Sequence, residues 1–508
     1  MVFSSHIFIF YFLPAALVLY YASRNSWRLV VLTLLSYIFY AWTSPWFVIV
    51  LLWTTFVDFC CGNLIYGNWQ PLGWRGDAGG NPTPARLQRR VFLVLSLCNS
   101  LGVLFAFKYF AFATENLNAL RAIVGWEPFH VLHFLLPIGI SFYTFESISY
   151  ILDIYQHRAR PASIMAREAA IQAGAHLRPG QTTFNIELRG LLNFACYISQ
   201  FPHLVAGPII RFQDLERQMY ERRHTIEKFS RGIIFLCLGF AKKILIADTM
   251  GEIADYAFGG HPAIWSDAWF GVFAYAFQIY FDFSGYSDMA IGLGLMFGFE
   301  FAKNFDAPYK SASITEFWRR WHISLSSWLR DYLYFGLGGN RRGKTRTYFN
   351  LMLVMLLGGL WHGAQWTFVI WGAIHGAWLC VERVFGKQPF YAKSPHFIRV
   401  GLTFFIICIA WVFFRSADAR EAGTYLTTMF RFSSMPSPVT KIAHLGMWTY
   451  PHVYGMIAAA VIAFLGVQTW DIAKRVTPMT AAFALLVFWV SIATLSIRSY
   501  TPFLYFRF

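Results

Sequence analysis

Charged side chains are scarce in this chain. Asp, Glu, Lys and Arg make up 13% of its 508 residues, against about 25% in an ordinary soluble domain. Strand-period alternation in blocks of about ten residues is missing, which excludes an outer-membrane barrel. The seven cysteines, Cys60, Cys61, Cys98, Cys196, Cys237, Cys380 and Cys408, show neither the paired spacing of a zinc site nor a redox CxxC. Their apolar surroundings predict small buried hydrophobes and no metal site. No GxSxG elbow, Walker loop or HExxH helix occurs, so the commonest hydrolase, nucleotidase and zinc-protease chemistries are excluded.

What the chain has in excess is apolar surface: 57% of residues are hydrophobic and 19% aromatic, with a mean hydropathy of +0.45. Apolar runs occupy 7–22, 29–42, 47–66, 91–112, 131–154, 191–210, 233–247, 269–299, 349–360, 367–381, 400–414, 453–469 and 479–497. Several are long enough to cross about 30 Å of hydrocarbon at about 1.5 Å per residue. The predicted fold class is an all-α polytopic membrane protein, with 1–508 forming one domain. The first run has no basic leader and no small-residue cleavage site, so it is expected as a retained helix. Pro45, Pro202 and Pro208 break or bound some runs, which predicts tilted, broken or re-entrant segments.

The formal charge of +16 is dispersed over short loops and forms no single basic block, which argues against a nucleic-acid partner and for topology signals and anion sites. With the uncharged N-terminus outside, Arg24 and Arg28, then Arg75, Arg86, Arg89 and Arg90, then Arg158, Arg160 and Arg167 all fall inside. Basic residues at both ends of 191–210 predict that this segment dips in and returns, sheltered by protein or lining a cavity. Cytoplasmic excursions are expected at 67–90, 155–190 and 300–346. Those at 69–84 and 162–190, rich in Gly, Pro and polar residues, are expected to have no fold of their own.

Two words carry histidine into apolar sequence. The run Phe317 to Ser326 contains Trp318, Arg319, Arg320, Trp321 and His322, and the stretch Gly358 to Gly363 contains Trp361 and His362. An ionisable group in lipid is costly, so such a histidine is a hypothesis about function. If 317–326 is one helix, Trp318, Arg319, Trp321 and His322 share a face of roughly 160°. That face reads either as an aromatic belt with snorkelling arginines, or as a binding wall with arginines for phosphates and tryptophans for an apolar body. His362 reads either as a core histidine bonded to a carbonyl or as a base that takes a proton from an attacking hydroxyl. His375 is expected to be structural. Lys108, Glu146, Asp282 and Asp288 are further buried polar candidates, with the two aspartates expected to tie helices together or orient the histidines.

These words resemble the membrane-bound O-acyltransferase superfamily, and within it the bacterial alginate O-acetylation branch. The resemblance rests on 136–145, 204–209, 317–326, 328–334, 337–341, 358–363, 411–415 and 502–507, in order along nearly the whole chain. It implies a ring of tilted helices around a central tunnel, with His362 at the catalytic position and His322 at a second functional position. It further implies acetyl-CoA as the acyl donor, with its phosphates held by Arg319, Arg320, Arg341 or Arg342, and no bound cofactor. The acceptor would be an exported polysaccharide such as alginate or cellulose, reached from the bacterial inner membrane with periplasmic SGNH-fold acetyltransferases as partners. The stretch 162–190 departs from the branch, where a shorter loop is expected. Rival readings are acyl transfer to teichoic acid, lipid or protein, and a proton-coupled transporter. The transporter reading would call for two similar halves, which the sequence does not show.

Overall fold

The computed structural model describes residues 2–69, 86–175, 183–260, 262, 264–432, 444–497 and 503–504. Every regular element among these residues is helical. Four helices, Phe47–Tyr66, Arg86–Ile123, His396–Arg415 and Pro478–Ile497, are long and apolar enough to cross a membrane, and Phe8–Ala22, Arg28–Ala41 and Tyr450–Phe464 are shorter apolar helices. The chain divides into two compact units, Met1–Phe229 with Gly294–Phe301, and Ser230–Leu293 with Ala302–Phe508.

The first unit holds α1 (Phe8–Ala22), α2 (Arg28–Ala41), α3 (Phe47–Tyr66), α4 (Arg86–Ile123), α5 (Ile140–Tyr155), α6 (Ala162–Gln172), α7 (Phe184–Ser199), the single turn α8 (Phe201–Leu204) and α9 (Phe212–Tyr220). The buried Asp58 of α3 is matched by α4, where the Ser96 hydroxyl donates to Asp58 Oδ1 at 2.5 Å. The apolar run 131–154 is helical only from Ile140, because Pro137 and the left-handed Gly139 (φ 79°) set the start of α5. A side chain at Gly139 would overlap the Leu204 carbonyl, so two of the words that carry the family resemblance touch here. The contact continues just beyond the two words, where Glu146 Oε1 accepts from the Ile210 backbone N–H at 3.2 Å and lies 3.1 Å from His203 Nδ1.

The segment 191–210 is α7, a break at Gln200, the turn α8 and an extended exit, and residues 193–210 are buried without interruption. Protein therefore shelters this non-helical backbone. The stretch 162–190 is not the structureless excursion expected from its composition. It contains α6 and the start of α7, and Gly190 packs directly on the Ser163 backbone. Residues 70–84 of the other excursion, and Arg75 with them, lie outside the described residues. Four cysteines, Cys61, Cys196, Cys237 and Cys408, are buried as expected, but Cys60 and Cys380 are half-buried and Cys98 is exposed.

The second unit holds α10 (Ile226–Ala241), a π turn (Lys242–Ala247), α11 (Asp248–Phe258), α12 (Trp265–Met296), α13 (Ile314–Arg320), α14 (Ile323–Trp328), α15 (Lys344–His362), α16 (Trp366–Val384), α17 (His396–Arg415), α18 (Ala419–Phe430), α19 (Tyr450–Phe464), α20 (Thr469–Ile472) and α21 (Pro478–Ile497). Helices α10 and α12 cross backbone to backbone. A side chain at Gly239 would meet the Gly285 carbonyl, and one at Gly292 would meet that of Gly232. Such close approach favours helix association in lipid, where hydrophobicity alone gives no drive. The crossing of α15 and α16 is built the same way, with Gly359 against the Phe368 carbonyl and Gly372 against that of Met355. This crossing sets His362, the last residue of α15, against the aromatic side chains of α16.

Candidate active site

All the residues singled out around the two histidine words lie in the second unit. The run 317–326 is not one helix. Helix α13 ends at Arg320, Trp321 is extended (φ −98°, ψ 128°), and His322 is left-handed (φ 42°, ψ 56°) before α14 begins. The break is fixed by the strand-like segment upstream: Asp306 N–H donates to the Arg320 carbonyl at 2.9 Å, and Ile323 N–H to the Asn304 carbonyl at 2.8 Å. Positive φ at a residue with a side chain is strained and persists only where the surroundings over-determine it. Here those two backbone bonds do so, and the expected shared face of Trp318, Arg319, Trp321 and His322 does not form.

The His322 side chain is fully buried. Asn304 Oδ1 lies 3.2 Å from its Nδ1, and the same oxygen accepts from the Ser324 backbone N–H at 3.2 Å and from Ser324 Oγ at 2.9 Å. A backbone N–H can only donate, so this Asn304 atom is the amide oxygen, and His322 Nδ1 must carry the proton that it accepts. The Asn304 amide nitrogen donates to Ser287 Oγ at 2.8 Å, which completes the frame. In the neutral ring the Nε2 lone pair is then the basic position. Ring contacts with Phe283 (4.6 Å between centroids) and Trp361 (6.2 Å) hold the imidazole plane.

His362 stands within an aromatic cage. Its ring centroid is 5.0 Å from Trp361, 5.2 Å from Trp371 and 5.2 Å from Phe414. The imidazole is one wall of a small cavity that Asp282, Phe283, Trp321, Trp411, Phe414, Phe503 and Leu504 also line. Its volume of about 10 Å³ has space for roughly one water molecule. A hydroxyl-sized group fits beside His362. His322 is not on this wall. It stands behind Phe283 and Trp361, each of which touches its ring.

The two aspartates are separated by their partners. The π turn after α10 presents consecutive lysines to α12: Lys243 Nζ is 2.7 Å from Asp282 Oδ1 and 2.7 Å from Asp248 Oδ1, while Lys242 Nζ is 2.6 Å from Asp288 Oδ2. Asp288 also accepts from Thr469 Oγ1 at 2.7 Å, which ties in α20. Asp282 accepts from the Leu504 N–H at 2.7 Å, so it fixes the C-terminal residues that form part of the cavity wall. Asp282 thus reaches the cavity, and Asp288 does not line it.

The remaining candidates lie to one side. Trp318 Nε1 donates to His375 Nδ1 at 3.3 Å, and the His375 ring is 4.8 Å from Trp371, the residue that separates it from His362. Arg320 is engaged by Glu316 at 2.8 Å and by the Asp306 carbonyl at 3.2 Å, whereas Arg319 is exposed. Sequence reasoning missed Asn304, Lys243, Trp371 and Phe414. The consecutive lysines inside an apolar run were a usable signal for Lys243, and none marked Asn304. Among the described residues, no group of three His, Cys, Asp or Glu side chains gathers as a metal site.

The family profile described as MBOAT, membrane-bound O-acyltransferase family, matches residues 122–417. The chain is 44% identical to the Probable alginate O-acetylase AlgI of Pseudomonas putida, with 100% of both chains covered. It is 35% identical to the Peptidoglycan O-acetyltransferase of Helicobacter pylori over 84% of this chain and 80% of that one. Against the Teichoic acid D-alanyltransferase of Bacillus subtilis the identity is 26%, over 57% of this chain and 71% of the other.

Proposed function

Because the chain belongs to the membrane-bound O-acyltransferase family, we propose that it O-acetylates an exported polysaccharide, with His362 as the general base at the cavity. The observation that carries this reading is an imidazole edge on a cavity with space for a hydroxyl-sized group. Proton transfer by a positioned histidine contributes about 10²–10⁴-fold to such a step. A relative 44% identical bears the name of an alginate O-acetylase, and one 35% identical that of a peptidoglycan O-acetyltransferase. Both names describe O-acetyl transfer to a glycan.

In this reading the donor is acetyl-CoA from the cytosol, and the protein works in the inner membrane beside a periplasmic SGNH-fold acetyltransferase. The acceptor oxygen attacks the acetyl carbonyl as His362 takes its proton. The carbon–sulfur bond breaks, and the proton passes to the departing thiolate, so an acetyl ester and a free thiol result. His322 acts at one remove: its neutral ring, held by Asn304, backs the Phe283 and Trp361 side chains that frame His362. The test is the acetyl content of the exported polymer from cells that carry His362→Ala. Acetylation should be abolished while the protein accumulates in the membrane; normal acetylation would sink the assignment.

A further inference from the structure

A cavity in the first unit has no part in the chemistry above. It measures about 620 Å³ and opens between the α1–α2 turn, the first turns of α7, and the chain that leaves α9. Its cationic lining comes from Arg189 and Arg222, and no carboxylate is among the described lining residues. Nearby acids are engaged elsewhere, with Glu221 3.6 Å from Arg217 and Glu300 2.6 Å from Lys228. Among the described residues, neither Arg189 nor Arg222 is in an ion pair.

Arg222 is held in place without being neutralised. Its Nη1 donates to the Gln218 and Met219 carbonyls at 3.3 and 3.0 Å, its guanidinium lies 4.9 Å from the Phe299 ring centroid, and its buried Nε has no hydrogen-bond partner among the described residues. His224 senses the same field: burial, and then Arg28 and Arg222, hold its pKa below the ordinary histidine range. Its Nε2 lies 3.0 Å from Tyr20 Oη, whose own proton goes to the Phe297 carbonyl at 2.9 Å, so the ring is anchored as an Nε2–H donor.

The lining also carries apolar side chains, Leu188 and Leu192 on α7, and Trp27, which is 60% exposed. A tryptophan at that position suits the headgroup level of a bilayer. The arginine distribution puts this mouth on the cytosolic side, where anionic lipids are concentrated and where basic pockets between helices hold phosphate headgroups. We propose that this cavity is a binding site for the phosphate group of an anionic amphiphile, with Arg189 and Arg222 on the phosphate and Leu188, Leu192 and Trp27 against the apolar body.

The experiment uses the full chain in phosphatidylcholine nanodiscs doped with phosphatidylglycerol, and quantifies the phosphatidylglycerol that stays with the protein after detergent exchange. Wild type should retain it, and Arg189→Gln should lower retention about fivefold, the size expected for one arginine at an anionic surface. Arg222→Gln should do the same, but Arg222 also closes the end of α9, so the exposed Arg189 is the variant that leaves the fold alone. A second arm adds inorganic phosphate to undoped nanodiscs. An Arg189-dependent rise in thermal stability there, without lipid retention, would keep the phosphate site and assign a soluble anion. Equal lipid retention in wild type and both variants, with no response to phosphate, would overturn the proposal and leave the acetyltransferase reading untouched.

Discussion

Asn304 Oδ1 lies 3.2 Å from both His322 Nδ1 and the Ser324 backbone nitrogen, so one amide oxygen fixes a histidine tautomer and the start of the following helix. Asn304→Ala leaves buried donors without a partner, at a cost of about 1–3 kcal/mol. The protein should still fold, because the backbone bonds from 304 and 306 to 320–323 do not involve that side chain. Acetylation should fall about 100-fold, the effect of a misplaced group near the reacting centre. The check is acetyl content against the membrane level of the protein, and full acetylation with Asn304→Ala would mean that the tautomer of His322 is irrelevant.

His322 and His362 are joined through Trp361, whose ring is 6.2 Å from the first and 5.0 Å from the second. If they serve one step, their removal is not additive. His362→Ala and His322→Ala should each lower the rate by about 10²-fold or more, and the double variant should be little slower than His362→Ala. Initial rates of acetyl transfer in proteoliposomes separate the cases. Losses that multiply would show two independent contributions.

The Lys243 pairs predict an asymmetry in stability. With Asp282→Asn, Lys243 keeps Asp248 at 2.7 Å and the side-chain oxygen still accepts from Leu504 N–H, so the cost should be about 1–3 kcal/mol. Lys243→Met strands two buried carboxylates and should cost about 3–5 kcal/mol. Thermal unfolding in detergent should therefore rank wild type above Asp282→Asn and Asp282→Asn above Lys243→Met. The reverse order would show that the fold can spare the lysine more readily than the Asp282 charge.

How much of this was legible in the sequence depended on the range of the interactions involved. Apolar runs gave the helices α2, α3 and α21 nearly to the residue, because length and hydropathy are local properties. The turn at His322 was not legible, since it is set by backbone bonds to Asn304 and Asp306 far upstream, and helical spacing alone suggested a shared face for Trp318 and His322. The fold of 162–190 was hidden for a related reason: Gly and polar residues there read as loop, while Gly190 is required by the Ser163 backbone against it. A glycine in 358–363 does not by itself declare whether its missing side chain makes room for a backbone or for a ligand. At Gly359 the structure assigns the room to the backbone of α16.

Crossing helices without side chains between them respond sharply to added volume. A Cβ at Gly285 would overlap the Gly239 carbonyl and crowd Lys242, so Gly285→Ala should destabilise by about 1–3 kcal/mol, the usual penalty of overpacking. Asp282 and Asp288 flank that glycine on the same helix, so a shift there moves the Lys242 and Lys243 pairs together. Acetylation should drop with stability in this variant, whereas Gly401→Ala, on α17 with open space around it, should leave both unchanged. Equal behaviour of the two variants in thermal unfolding would argue against the tight crossing.

The two arginines before Trp321 should separate cleanly. Arg320 is held by Glu316 at 2.8 Å and by the Asp306 carbonyl at 3.2 Å, so its guanidinium is occupied in supporting the turn that carries His322. Half-exposed ion pairs of this kind contribute about 0.2–1 kcal/mol, and Arg320→Ala should lower thermal stability slightly with the apparent KM for acetyl-CoA unchanged. Arg319 is exposed one residue earlier, where it is able to meet a donor phosphate. Loss of one charge-assisted hydrogen bond, about 1.5 kcal/mol, should raise that KM about tenfold in Arg319→Ala with kcat maintained. Donor titrations in vesicles decide the point, and an unchanged KM in Arg319→Ala would remove this run from donor recognition altogether.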